Sequence, residues 1–558
     1  VTRAAGGLDP AARDAAFRWI ADDVDPAARA ELQRVLASAL AGDAAAAADL
    51  ADRMAGPLRF GTAGLRGPLR AGPNGMNRAV VVRATAGLAE WLRAHGRAGG
   101  VVVVGRDARH GSEEFHADVA GVLAAAGFDV RVLPRPLPTP VLAFAVRRLA
   151  AVAGVQVTAS HNPPGDNGYK VYLDAGGQIV PPVDAEIEAA IAASPASVAV
   201  PRSSDWSTVD DSLVEEYVTE VAALPTGTAR DLRVALTPLH GVGGETAVLA
   251  LRGAGFTDVH VTASQASPDP DFPTVSFPNP EEPGATDALL ALASEVDADI
   301  AVALDPDADR CALGVRDRDG AWRMLRGDET GVLLGERVLS TLDRSAHPDP
   351  LVATTIVSSS MLRSVAEAHG ARYDETLTGF KWLMRAGDGQ GTGLVYAYEE
   401  ALGHCVAPDL VRDKDGISAA VAACDLAAEL KAAGRTLLDA LDELAVRHGL
   451  HLTDQVSVRL GAMTDVQPAM AALRERVPDA VGGRPVTAED LRPRDNTLAL
   501  RGDGLRIMIR PSGTEPKLKA YVEIVERAGS TAELAAARER GRATLAALRG
   551  DVEALLLG

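Results

Sequence analysis

Short β-branched runs alternate with longer amphipathic stretches over roughly the first four-fifths of this chain, and the runs end in loops dense in Gly, Asp, Ser and Pro. That rhythm is the signature of α/β sheets, because a parallel strand pair needs a crossover of about a dozen residues or more, usually a helix. Residues 101–104, 130–133 and 152–157 read as strands, 112–126 as a helix ended by Gly127, and 134–140 as a rigid Pro-rich turn. The rhythm restarts with a strand at 232–236, a helix from about 245 and a strand at 299–304. It starts a third time near 327, with strands at 351–356 and 394–398 and helices at 359–369, 417–433 and 437–448. The end of the chain differs: strands near 452–460, 497–500, 505–509 and 517–524 precede a terminal helix, an α+β order. Ahead of everything lies an Ala-rich helical arm, with apolar residues at helical spacing around Phe17, Ile20, Leu32 and Leu36.

A chain of 558 residues exceeds one hydrophobic core, since cores rarely grow past about 300 residues. The reading is an arm over 1–50, α/β domains over 51–215, 216–326 and 327–448, and an α+β domain over 449–558. The Pro-dense stretch 267–284 is too long for a simple connector and is expected to pack as an ordered loop. The balance of 56 Lys and Arg against 76 Asp and Glu, net −20, disfavours nucleic acid and anionic membranes as partners but not small anions held locally. Cys311, Cys405 and Cys424 are far apart, which indicates neither a disulfide framework nor a Cys-based metal site. No run reaches the ~18 apolar residues of a membrane span, and residues 1–8 resemble neither a signal nor a transit peptide, so the cytoplasm is the expected location. Only six basic residues are lysine, and Lys170, Lys381, Lys414 and Lys517 fall in the polar motifs below. A compact, rotatable ammonium is not interchangeable with a guanidinium.

Ligands of open α/β sheets bind beyond the carboxyl ends of strands, and three polar loops stand there. The first runs Thr158-Ala-Ser-His-Asn-Pro-Pro-Gly-Asp-Asn-Gly-Tyr-Lys170. Ser160 stands at a strand end with His161 beside it, as a nucleophile with a base; by composition alone the segment also reads as a surface turn. The second is Asp305-Pro-Asp-Ala-Asp-Arg310, three carboxylates at alternating positions that suit a hard divalent cation. An EF-hand is excluded, because Arg310 and Arg316 occupy its Gly and Glu positions. The third comprises Thr378-Gly-Phe-Lys-Trp382 and Tyr398-Glu-Glu-Ala-Leu-Gly-His404; Glu399 and Glu400 suit sugar hydroxyls or, equally, a helix N-terminus. In the last domain Arg510-Pro-Ser-Gly-Thr-Glu-Pro-Lys517 reads as a phosphate cradle, or as an Arg-anchored hairpin turn. Near the start, Arg66 sits in a Gly-rich loop, and Asp107 and Arg109 follow the first strand and can pair with each other.

Together, and in this order, the motifs resemble those of the α-D-phosphohexomutase superfamily, the phosphoglucomutases and phosphomannomutases. The resemblance covers nearly the whole chain beyond the arm. It implies three similar α/β domains with mixed sheets plus a C-terminal α+β domain around a central cleft. It also implies interconversion of sugar 1- and 6-phosphates through a phosphorylated Ser160 and a bisphosphosugar, with Mg²⁺ held by Ser160, Asp305, Asp307 and Asp309. Arg66 and Arg310 would bracket the transferring group, Lys170 would serve as general base or acid, and His161 would stand beside the nucleophile. Thr378, Gly379, Lys381, Glu399, Glu400 and His404 would read the sugar, and Arg510, Ser512, Gly513, Thr514 and Lys517 would hold the other phosphate. The resemblance further implies a bisphosphosugar activator of the glucose 1,6-bisphosphate type, a small sugar phosphate as partner, and a monomer or homodimer.

Where most members carry Ser after the paired acids, this chain has Ala401, a departure that removes one hydroxyl the resemblance would offer to the sugar. The Glu-Glu-Ala pattern, with Asp413-Lys-Asp-Gly416 and the Phe60–Gly67 opening, resembles bacterial phosphoglucomutases and the animal phosphoglucomutase/phosphopentomutase branch. Glucose 1-phosphate is the first expectation, with mannose and pentose phosphates open and glucosamine phosphate below them. A phosphatase or sugar-bisphosphate synthase would use the same serine with water or a donor. A non-catalytic sensor would not need Ser160, the three acids and Lys170 together. A dehydrogenase is disfavoured, because the segment 241–246 lacks the last Gly of the dinucleotide fingerprint.

Overall fold

The computed structural model describes residues 8–61, 64–512 and 516–557. The chain divides into two compact units. The first contains Val1–Pro225, Arg233–Cys311 and Asp409–Val421; the second contains Thr226–Leu232, Ala312–Pro408 and Ala422–Gly558.

In the first unit the amino-terminal arm forms helices Pro10–Asp22, Pro26–Leu40 and Ala44–Arg53. Asp9, Asp25 and Asp43 cap them by accepting from the N–H groups of Ala11, Ala27 and Ala45, and Pro10 and Pro26 fit where no N–H is needed. Leu32, Leu36 and Leu50 pack as a small core. Phe17, expected in the apolar stripe, is 53% exposed; Ala16 beside it is the residue that turns inward.

The next sheet has six strands and mixed pairing. Val101–Arg106 lies parallel to Asp129–Val132 and Ala153–Val157, while Asp166–Leu173 returns antiparallel to Ala153–Val157. Period-two alternation separates its faces. Val102, Val104, Val155 and Val157 share a core with the helices Arg78–Ala94 and Ser112–Ala125. On the other face Gly154 leaves room for Val146 of the helix Thr139–Arg148, where a Cβ would come within 2.4 Å. That helix begins inside the segment expected to be a plain turn, because Pro140 is compatible with a first helical turn. Further on, Arg233–Thr237 is flanked by the parallel strands Asp258–Val261 and Ile300–Leu304. The Pro-dense loop carries no helix or strand, and Thr274 ties it to His240 at 2.8 Å and Gln265 at 2.9 Å.

The second unit contains a mixed sheet ordered Arg372–Thr376, Leu351–Thr355, Leu394–Glu399, Gly403–Cys405, with only the last strand antiparallel. A larger sheet in the same unit is antiparallel throughout, in the order Leu450–Arg459, Lys517–Glu526, Leu505–Pro511, Leu498–Gly502, Thr487–Asp490. Helices Val466–Glu475 and Thr531–Leu557 pack on one face of that sheet through Met470, Leu473, Leu548 and Val552. The strand Thr487–Asp490 was not anticipated, because it is a fully exposed edge with no apolar alternation. No described helix is long and apolar enough to cross a membrane.

Candidate active site

The chain leaves the buried strand Ala153–Val157 at Thr158, whose Oγ1 accepts from the N–H of Ser160 at 2.8 Å. Ser160 takes a left-handed backbone conformation, φ 53°. Such a conformation costs a non-glycine residue on the order of 1–3 kcal/mol and persists only when the surroundings hold it. Arg109 supplies the hold. Its guanidinium donates to the carbonyls of Ser160 at 2.7 Å, Asn162 at 2.6 Å and Pro163 at 2.8 Å. Asp107 sits 3.4 Å from its Nε, and the ring of Phe272 lies 4.9 Å away across its face. The expected Asp107–Arg109 pair exists, and the arginine is also the clamp of the serine loop.

The strand Ile300–Leu304 delivers the acidic loop, in which Ala308 takes φ 54° so that alternate carboxylates converge. Asp305, Asp307 and Asp309 are fully buried, and each offers one oxygen within 4.8 Å of the other two. Ser160 Oγ donates to Asp305 Oδ2 at 2.8 Å. Lys170, fully buried on the returning strand, donates to Asp307 at 2.7 Å and Asp309 at 2.8 Å. Thr139 Oγ1 reaches Asp307 at 2.5 Å, and Lys414 lies 3.2 Å from Asp309. Burial, reinforced by Asp307 and Asp309, pushes the Asp305 carboxyl well above its ordinary value. Burial works the same way on the other two, but their partners together overcome it and hold both below the usual range: Lys170 and Thr139 at Asp307, and Lys170, Lys414 and Arg310 at Asp309. Oδ1 of Asp307 and of Asp309 is buried without a hydrogen-bond partner among the described residues. Anionic oxygens left without donors in a dry site are what a hard divalent cation satisfies, so the all-oxygen donor set fits Mg²⁺.

Around this cluster stand the cations. Arg66 donates to Asn162 Oδ1 at 3.3 Å, and Arg310 faces Glu281 at 3.6 Å while its N–H donates to Asp305 Oδ1 at 3.0 Å. His161 Nδ1 is 3.2 Å from Ser160 Oγ. Burial, with Arg310 and Arg66 close by, pushes this imidazole well below its ordinary value, so it is neutral. Ser160, His161, Lys170, Arg66, Arg310 and the three acids therefore meet in one place.

Three participants were not singled out as site residues by the sequence reading: Arg109, Thr139 and Lys414. Lys414 had a signal, as one of few lysines inside the Asp413–Gly416 segment. The flanking acids fix that segment: Asp413 accepts from Tyr172 at 2.8 Å and Gln178 at 2.7 Å, and Asp415 accepts from Tyr217 at 2.9 Å. Gly416 passes so close to the acidic loop that a Cβ would sit 2.3 Å from the Arg310 carbonyl.

In the second unit Glu399 ends the strand Leu394–Glu399, and Glu400 begins the turn after it. Glu400 Oε2 accepts from Ser358 at 2.8 Å and Thr355 at 3.1 Å. His404 does not lie open beside these acids: it is fully buried, with Nδ1 3.4 Å from the Tyr396 hydroxyl and its ring stacked on Tyr398. Gly379, φ 115°, precedes a single helical turn that carries Lys381, and Thr378 Oγ1 is buried with no hydrogen-bond partner among the described residues. Arg510 stands directly across the antiparallel pair from Lys519, and Lys517 from Arg459, so these four basic residues share one sheet face. Like charges in such opposition repel unless an anion lies between them. The Ser512 N–H donates to the Lys517 carbonyl at 2.9 Å. Gly513 and Thr514 lie outside the described residues.

Comparison with known proteins agrees with this arrangement. Residues 57–197, 215–320 and 326–447 match the phosphoglucomutase/phosphomannomutase alpha/beta/alpha domains I, II and III, and residues 470–540 match the C-terminal domain of the same family. A probable phosphomannomutase of Haemophilus influenzae is 42% identical over 80% of this chain and 93% of its own length. Human phosphopentomutase is 32% identical over 85% of this chain and 86% of its own, and a Staphylococcus epidermidis phosphoglucomutase is 33% identical over 84% and 90%. The solved structure of a putative phosphomannomutase from Thermus thermophilus superposes with a TM-score of 0.70 at 25% identity, covering 90% of this chain and 99% of that one. Fold and site define an intramolecular phosphotransferase with three α/β/α domains and a C-terminal antiparallel-sheet domain. The chain belongs to the phosphoglucomutase/phosphomannomutase family of the α-D-phosphohexomutase superfamily and is a phosphosugar mutase.

Proposed function

We propose that the enzyme interconverts glucose 1-phosphate and glucose 6-phosphate through a phosphorylated Ser160 and a bound glucose bisphosphate. The observation that carries the chemistry is the convergence of Ser160 Oγ on Asp305 at 2.8 Å with Lys170 on the neighbouring acids. A sugar hydroxyl attacks the phosphorus of phosphoserine; the bond to Ser160 Oγ breaks, and the hydroxyl proton leaves to a base. Phosphoryl transfer demands positioning and charge neutralisation more than covalent help. Arg66 and Arg310 offer charge to the transferring oxygens. Lys170, kept protonated by Asp307 and Asp309 against its burial, supplies the acid, and His161 stands beside Ser160. A Mg²⁺ ion on Asp305, Asp307 and Asp309, with Ser160, would neutralise phosphoryl charge as a Lewis acid.

The bisphosphate then presents its other phosphate to Ser160, which regains a phosphoryl group. Such a reaction needs a grip indifferent to which phosphate it holds. Arg510, Ser512 and Lys517, with Gly513 and Thr514, are assigned to it, and Thr378, Gly379, Lys381, Glu399 and Glu400 to the sugar. His404 supports the Tyr396–Tyr398 layer beneath the acids. A trace of glucose 1,6-bisphosphate serves as activator, by charging Ser160. Mannose 1-phosphate is the second reading, favoured by the 42% identity to a probable phosphomannomutase. The test compares glucose, mannose and ribose 1-phosphates with a trace of the matching bisphosphate. Glucose should give the highest kcat/KM without release of free phosphate; preference for another sugar overturns the assignment.

A further inference from the structure

One oxygen of Glu400 is already spoken for. Ser358 Oγ donates to Oε2 and accepts from the Glu400 N–H at 3.1 Å, so this one hydroxyl grips both the carboxylate and its own backbone. Thr355 Oγ1 lies 2.8 Å from Ser358 Oγ and braces it. Both hydroxyls are fully buried. Among the described residues nothing donates to Oε1, which leaves that oxygen as an acceptor of fixed direction.

The turn bearing Ser358 is itself held from far along the chain. Arg506, 8% exposed on the strand Leu505–Pro511, donates to the Ser358 carbonyl and, at 3.4 Å, to that of Ile356. Its charge is met by Glu523 at 2.9 Å and Glu375 at 3.5 Å. Glu523 also accepts from Ser359 at 2.7 Å and from the Ser360 N–H at 2.8 Å. A guanidinium fork on two carbonyls, with two carboxylates behind it, fixes the turn in a way a point charge could not.

We infer that Ser358 is a positioning residue for the sugar-reading carboxylate of Glu400, and that Arg506, by clamping the Ser358 turn, makes sugar recognition depend on the carboxy-terminal sheet. The inference rests on the reading of Glu400 as a contact to a sugar hydroxyl. Ser358 touches no substrate; it aims Oε1 by occupying Oε2.

The test is a kinetic split. A lost hydrogen bond to a charged group corresponds to roughly a ten-fold effect, so Ser358→Ala should raise KM for glucose 1-phosphate about ten-fold with kcat changed less than about three-fold. Inhibition by inorganic phosphate should be unchanged, because the phosphate grip lies elsewhere. Thr355→Val, of equal volume, should raise KM about three-fold, and Thr355→Ser should restore it. This pair carries the test if Ser358→Ala fails to fold. Arg506→Lys should shift KM in the same direction. A wild type that turns over while Ser358→Ala and Thr355→Val both keep its KM overturns the inference alone. A loss of kcat and of phosphate inhibition in proportion overturns it too, as a general structural effect. A wild type without mutase turnover overturns the functional reading, and the inference with it.

Discussion

Ser160 donates its hydroxyl proton to Asp305 across 145 residues of chain, at 2.8 Å. The serine thus arrives already aimed at the acidic cluster, in a backbone conformation that its own residue type does not favour. Ser160→Ala should therefore fold normally and lose at least about 10³-fold in mutase turnover, the scale set by removing an essential nucleophile. Intact-protein mass after incubation with glucose 1,6-bisphosphate should show one added phosphoryl group on the wild type and none on the variant. A variant that keeps full turnover sinks the phosphoserine route.

Chelation gives a second check. EDTA should abolish activity and Mg²⁺ restore it, and Mg²⁺ at ~100 times its Kd should add about 2.7 kcal/mol to the stability of the native state. Thermal melts with and without the ion read this directly. Asp309→Asn should lose the stabilisation; an unchanged Mg²⁺ response in that variant would place the ion elsewhere.

Lys170 is the counter-charge of two buried acids. Lys170→Met leaves Asp307 and Asp309 without it, and breaking a buried pair costs about 3–5 kcal/mol. The loss should be large in EDTA and shrink when Mg²⁺ is present, since the ion replaces the missing charge. Urea titrations under the two conditions measure the difference. An equal loss in both would mean that the lysine and the ion do not share those carboxylates.

Arg109 grips four carbonyls of the serine loop with one fork, those of Ser160, Asn162, Pro163 and Asp166. Arg109→Lys keeps the charge and loses the fork, and misplacing a nucleophile by about 1 Å costs on the order of 10²-fold. The expected result is a kcat reduced by ~10–100-fold with far-ultraviolet circular dichroism unchanged. A kcat equal to that of the wild type would reduce Arg109 to a partner of Asp107.

Burial pushes the Asp328 carboxyl up to about 7, against a hydrogen bond from the Ser359 N–H at 2.6 Å that pulls it down. An unfolded aspartate titrates near 3.9, so between about pH 4 and pH 7 the native state holds a proton that the unfolded state has released. This group's contribution to stability is thus full below about pH 4, falls as pH rises through that window, and is level above it. Asp328→Asn should gain on the wild type between about pH 4 and pH 7, and hold a constant lead above that, in paired urea titrations. A gap that is constant through that window as well would show that Asp328 is ionised throughout.

Much of the site was legible as motifs because its loops have local reasons to exist. Three alternating acids at a strand end point to a cation by residue type and position, whereas Thr-Ala-Ser-His alone also fits a surface turn and gains its meaning from the order of the motifs along the chain. The α/β rhythm was legible for the same kind of reason, since a run of Val at 101–104 fixes a buried strand whatever surrounds it. Phe17 and His404 show the limit. Each fits its local pattern, yet packing turned the first outward and drew the second fully inside.

The sequence by itself determined which residue types stand at the strand ends and hence the class of chemistry: a serine, three acids, a lysine and a basic turn. Only the tertiary structure decided which of them meet. Lys414 reaches Asp309 from a segment about a hundred residues further on, Arg109 grips the serine loop from the end of the neighbouring strand Val101–Arg106, 51 residues earlier, and Arg506 clamps the Ser358 turn across 148 residues. No local periodicity encodes such contacts. Sheet order and the closeness of backbones at glycines set them, and burial then fixes the charge that each group carries.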